Sequence, residues 1–141
     1  MATDWERQEK ILAHRIRGKR SRGSGNRNQK GDVFTRHWLI ECKSSSHPSR
    51  ITIYLKWLEK VRQEARASGK MPALYLKTEQ LACVLVPYEF QQQQEDPGWR
   101  SRVMDLKNMK HPTTIHSSDV VWITMHHVDF ENLILEEEEE N

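Results

Sequence analysis

Asp32, Glu41 and Lys43 are the residues whose types and spacing can do chemistry. Side chains alternate along a strand, so in HWLIECKSSS the residues Leu39, Glu41 and Lys43 share one face and Trp38, Ile40 and Cys42 the other. A hairpin centred between Arg36 and His37 opposes Val33 to Ile40, Phe34 to Leu39 and Asp32 to Glu41. Directly opposed side chains carry their Cβ atoms about 4.5–5.5 Å apart. Two carboxylates at that separation repel, and one proton or one cation relieves them. Magnesium suits the spacing, because it takes oxygen ligands at about 2.0–2.1 Å from one or two carboxylates plus water and substrate phosphate. Lys43, two residues along the same face, can orient a water nucleophile or counter the charge of a phosphate under attack. Two carboxylates and a lysine around a cation form a set able to cleave phosphodiesters. A second stretch, Asp96 with Asp105-Leu106-Lys107, repeats the separation but carries helix signals. Its acids are expected around a helix from Asp96-Pro97 through Lys107.

The elements that must position these groups are legible in outline. An amphipathic helix is expected over residues 3–16, with Trp5, Ile11, Leu12 and Ile16 on its stripe and Glu6, Arg7, Glu9 and Lys10 off it. GKRSRGSGNRNQKG, residues 18–31, holds four glycines and no apolar residue, and reads as a basic loop. Strands follow at 32–34 and 38–43, then a loop over 44–49 and a brief extension at 51–53. A helix over 54–67 carries Tyr54, Trp57, Leu58, Val61 and Ala65 on its apolar stripe, with Gly69 as a left-handed cap. Buried strands are expected at 72–77, 82–86 and 120–125, and a short helix at 129–135 running into a solvated glutamate tail.

The 141 residues suit one domain over 1–135 and an acidic tail over 136–141. The net charge of +2 hides an asymmetry. Without Glu136–Glu140, 22 basic residues face 15 acidic ones, and nine Lys or Arg against the single acid Glu9 lie between Arg7 and Lys30. That block is the footprint of a nucleic-acid partner. Arg20, Arg22, Arg27 and Lys30 are expected phosphate contacts, joined by Lys56 and Lys60 on the polar face of the second helix, where Gln63 also lies. No apolar run reaches membrane-spanning length, which sets membrane partners aside. Cys42 and Cys83 read as small buried hydrophobes in a reducing, cytoplasmic setting. The seven histidines lack ligand spacing, and the neighbours His126 and His127 are expected on opposite faces of a strand.

The order GSGNRNQKGDV, WLIECKSS, amphipathic helix, MPALYLK resembles the PD-(D/E)xK nuclease superfamily, and within it the Holliday-junction resolvases of archaea and phages. The likeness spans about residues 5–90 and leaves 95–141 unaccounted for. It implies an α/β fold with a restriction-endonuclease-like core, a central mixed β-sheet flanked by helices. It implies Asp32 and Glu41 as Mg²⁺ ligands (Mn²⁺ substituting), with the backbone carbonyl of Cys42 completing them. Lys43 matches the active-site lysine, and Glu9, or else Glu6, the acid from the first helix. Ser24 resembles a loop serine near the scissile phosphate. Gly31 stands where the family often has proline before the Asp. The implied partners are branched DNA and a second copy of the chain in a homodimer. Two alternatives stay open: a related nuclease acting on flaps, single strands or duplex ends, and a non-catalytic DNA-binding protein.

Overall fold

The structure, a computed structural model, describes residues 4–20, 32–90, 97–118 and 120–139, with the side chains of 4–6, 32, 89 and 90 also outside the description. Ser24, Arg22, Arg27 and Lys30 therefore lie outside the described residues, as do Asp96 and the side chains of Trp5, Glu6 and Asp32.

The chain forms an α/β fold around a mixed sheet. In order come α1 (Asp4–Ile16), β1 (Lys19–Arg20), β2 (Asp32–Phe34), β3 (Trp38–Ser44), β4 (Arg50–Tyr54), α2 (Leu55–Ser68), β5 (Met71–Lys77), β6 (Ala82–Phe90), β7 (Ser101–Asp105), β8 (Thr114–Ser117), β9 (Val120–His126) and α3 (His127–Glu139). Seven strands pair in the order β1-β2-β3-β5-β6-β9-β8, and β4 pairs with β7 in a separate two-stranded sheet. β3 and β5 run parallel and the other neighbours antiparallel.

Burial on both faces explains why the central strands are so apolar. Trp38, Ile40, Cys42, Ala73, Tyr75 and Val84 join Leu12 and Ile16 of α1 and Phe130 and Ile134 of α3 in one cluster. On the opposite face Leu74, Leu76, Cys83, Leu85 and Trp122 pack with Leu58 and Val61 of α2 and with Ile51 and Ile53 of β4. Helices thus cover both faces, and the alternation along β3 decides which side each polar residue meets. α2 buries Leu55, Leu58, Val61 and Ala65 at helical spacing and ends at Gly69, φ 68° and ψ 30°, where Lys70 N donates to Ala65 O at 2.8 Å.

Several expectations need correction. Residues 101–105 are strand β7, not part of a helix through Lys107. Pairing with β4 and burial of Met104 and Leu106 in the α2-side core override the helix signals around Pro97. Lys19 and Arg20, expected in the loop, are paired to Phe34 and Val33 as β1. Tyr54 belongs to β4 and is exposed, while Leu55 opens the buried stripe of α2. In α1 the buried face runs through Glu9, Leu12, Ala13 and Ile16. Ile11, expected on that face, is 52% exposed, and Glu9, expected off it, is 1% exposed. The glutamate run is helical through Glu139, and Glu137 accepts a bond from Trp38 Nε1 at 2.9 Å. β8, not anticipated, caps the far edge of the sheet.

Candidate active site at the β2–β3 hairpin

The hairpin register pairs Asp32 with Glu41, Val33 with Ile40 and Phe34 with Leu39, as the alternation requires. Asp32 and Glu41 therefore stand on the same face of neighbouring strands, the face covered by α2. β3 takes that register because Val33 and Ile40 are fully buried against α1, and a one-residue slip would turn both out of the core.

Glu41 is 1% exposed. Its Oε1 lies 3.3 Å from Lys43 Nζ and 3.7 Å from Lys60 Nζ. Its Oε2 is buried without a hydrogen-bond partner among the described residues. Lys43 Nζ in turn sits 4.8 Å from the centroid of the Trp57 ring, so an aromatic face and a carboxylate both fix the ammonium. Trp57 is edge-on to Tyr54 at 4.8 Å, and Lys56 lies 5.6 Å over the Tyr54 ring.

Lys60 and Lys56, both expected at DNA phosphates, thus have different surroundings: Lys60 stands beside Glu41 and Lys56 above Tyr54. The sequence alone did not point to Glu64, whose Oε1 is 3.9 Å from Lys60 Nζ, nor to Trp57 as a neighbour of Lys43. The signal was present, since 57, 60 and 64 share one helix face at i, i+3 and i+7. Gln63, considered as support, is exposed. Burial holds the Glu64 carboxyl above the ordinary carboxylate range, Lys60 and Lys43 pull it down, and Glu41 pushes it up. A raised carboxyl binds its proton more tightly in the folded state, so this contribution to stability is complete below the ordinary pKa. It is lost as pH rises through the raised value. Glu64→Gln is expected to remove that weakly acidic gain, checked by thermal melts of both proteins from pH 4 to pH 7.

Glu9 lies on α1, whose apolar face packs with Val33, Ile40 and Cys42 across the sheet from α2. Its Oε1 accepts from Arg20 Nε at 3.1 Å, so Arg20, expected at a phosphate, is held by this carboxylate. The Asp105 decoy is occupied by a turn. Asn108 and the Lys107 backbone hydrogen-bond its carboxyl and hold it below the usual range, with Arg50 adding at 3.9 Å. Cys83 is buried, and its thiol is pushed up to about 12, which keeps it protonated and inert. His126 and His127 correct the opposite-faces expectation: the strand ends between them and their rings stack at 4.8 Å, with His127 Nδ1 2.7 Å from Glu131 Oε2.

Whether these residues fit a cation is tested by the buried Glu41 Oε2. A carboxyl oxygen removed from water without a partner is costly, and a hard divalent cation offsets that cost. The register sets Asp32 at the position opposite Glu41, and carboxylate oxygens are the ligands magnesium takes. Among the described residues, no group of three or more His, Cys, Asp or Glu stands together in a form that could hold a metal. Nor, among them, is any helix long and apolar enough to cross a membrane.

No protein-family profile matches this chain, and neither a curated protein nor a solved structure does.

Proposed function

We propose that this chain is a Mg²⁺-dependent DNA endonuclease that cuts symmetric strands of four-way junctions, with a restriction-endonuclease-like core and a homodimeric assembly. One observation carries the reading. The Asp32–Glu41 register sets two acids on one sheet face, where Glu41 is buried, keeps one oxygen unpartnered among the described residues and has Lys43 beside it. The order helix, hairpin, helix, parallel strand, which brings β5 beside β3, agrees with the resemblance in WLIECKSS and MPALYLK.

Asp32, Glu41 and the Cys42 carbonyl would hold the cation; the first-helix acid Glu9, bonded to Arg20 on the α1 side of the sheet, is left out of this set. When bound, the cation supplies Lewis acidity and neutralises charge on the phosphodiester. The chain's own groups do the rest. Lys43, fixed between Glu41 and the Trp57 ring, presents an ammonium to the negative charge that grows on the phosphate during attack. Lys60 approaches Glu41 from the helix side, its Nζ 3.7 Å from Oε1. The basic residues of 18–31, with Ser24 near the scissile phosphate, grip the backbone.

The test is cleavage of a synthetic immobile four-way junction beside duplex, flap and single-stranded controls, in Mg²⁺, Mn²⁺ and chelator. Metal-dependent cutting of the junction in preference to the controls is the expected result. Preference for flaps or ends moves the substrate to the related nuclease. If neither ion supports cutting of any substrate, both nuclease readings fail.

A further inference from the structure

A cavity of about 440 Å³ opens between α1 and the C-terminal ends of the parallel strands β3 and β5, on the opposite face of β3 from Glu41. Among its polar lining residues is Gln8, which is 9% exposed. Neither its side-chain nitrogen nor its side-chain oxygen has a hydrogen-bond partner among the described residues. A buried primary amide so placed offers one donor and one acceptor side by side to whatever enters. Leu12 and Tyr75, both buried, supply apolar wall, and Ile11 is left 52% exposed at the lining. Exposed Arg7 and Arg15 and half-buried Lys77 line the same cavity with the acid Glu79. Arg15 also pairs with Glu131 at 3.4 Å, and Lys77 Nζ donates to Thr78 O at 2.8 Å, which leaves Arg7 the most available of the three.

We propose that this cavity takes a single unstacked nucleotide of a DNA strand, its base against Leu12 and Tyr75 with Gln8 on the base edge, and its phosphate among Arg7, Arg15 and Lys77. An amide of glutamine pairs two-fold with an adenine edge, donor to acceptor and acceptor to donor. Apolar walls with a few convergent polar groups, at a volume within the usual range for small-ligand sites, suit a base better than a bare anion. Ser44, on the cavity wall, directly follows Lys43 along β3. A strand whose phosphate lies at Lys43 can therefore cross the end of β3 and lodge the neighbouring nucleotide beside Gln8. Lifting a base from its stack costs least where the base is already unpaired. The cavity thereby favours DNA with unpaired nucleotides at a branch over continuous duplex. This deepens the nuclease reading and rests on it for the DNA partner.

The experiment titrates the full chain, without metal, with dAMP, with deoxyribose 5-phosphate and with inorganic phosphate, following the side-chain amide resonances of Gln8. dAMP is expected to shift them and to bind at least about tenfold tighter than deoxyribose 5-phosphate. Gln8→Met keeps the side-chain length and removes the unpartnered amide, so its melting temperature should hold or rise while dAMP affinity falls at least about tenfold. Arg7→Gln, at an exposed position, should weaken dAMP and deoxyribose 5-phosphate alike. Equal binding of dAMP and deoxyribose 5-phosphate would overturn the proposal, as would unchanged dAMP affinity in Gln8→Met. These titrations involve no cleavage. Nucleotide binding without junction cutting sinks the nuclease reading alone, and cutting without nucleotide binding sinks the cavity assignment alone.

Discussion

Asp32→Asn and Glu41→Gln are each expected to lower metal-dependent cleavage at least about 10³-fold while junction binding stays largely intact. Metal stabilisation of phosphoryl-transfer charge is worth several kcal/mol, and about 1.4 kcal/mol is tenfold in rate. Both variants keep shape and lose one negative charge, so the fold has little reason to change. In Glu41→Gln the lysines opposite are 27% and 35% exposed and can turn to water, which keeps the stability change within about 1 kcal/mol. A second readout does not depend on activity. Mg²⁺ should raise the melting temperature of the wild type, because a ligand bound only by the folded state stabilises it, and the rise should vanish in both variants. Cleavage retained in Asp32→Asn would refute the site, whatever the melting data show.

Trp122→Ala is expected to be the most damaging core change. Trp122 is fully buried in the α2-side cluster, and its Nε1 donates to Ser117 Oγ at 2.9 Å. Truncating a buried tryptophan costs about 3–5 kcal/mol through lost burial and the cavity left behind. The Ser117 hydroxyl, itself 4% exposed, also loses its partner. Against a typical domain stability of about 5–15 kcal/mol, that is a large share. For a chain of this size the melting temperature should fall by about 10 °C or more. Trp122→Phe keeps most of the apolar surface and should lose markedly less. Denaturant titration of the two variants checks the order, and equal losses would mean that the hydrogen bond rather than packing dominates.

The two predictions test different parts of the molecule. β3 is shared by both: its Trp38, Ile40 and Cys42 fix the strand in the α1 and α3 core, which aims Glu41 and Lys43 at α2. The register is enforced by apolar burial, and the chemistry occupies the positions that burial leaves on the other face.

What the sequence determined by itself was whatever depends on period and local chemistry. The two-residue alternation of WLIECKS placed Glu41 and Lys43 on one face, and the short turn at Arg36-His37 set Asp32 opposite Glu41. The stripe of α2 and its Gly69 stop were equally local. Tertiary structure alone decided which element lay over each face. Lys60 and Glu64 join the site only because the α2 face bearing Trp57 settles above β3. Residues 101–105 became a strand because β4 offered an unpaired edge, a partner some fifty residues away that no local pattern announces. Glu9 is buried against its own polarity because Arg20, brought round as β1, compensates it. Gln8 lies inside a cavity because α1 crosses the ends of β3 and β5. Local periodicity fixes which side a residue faces, whereas long-range packing fixes what it meets there.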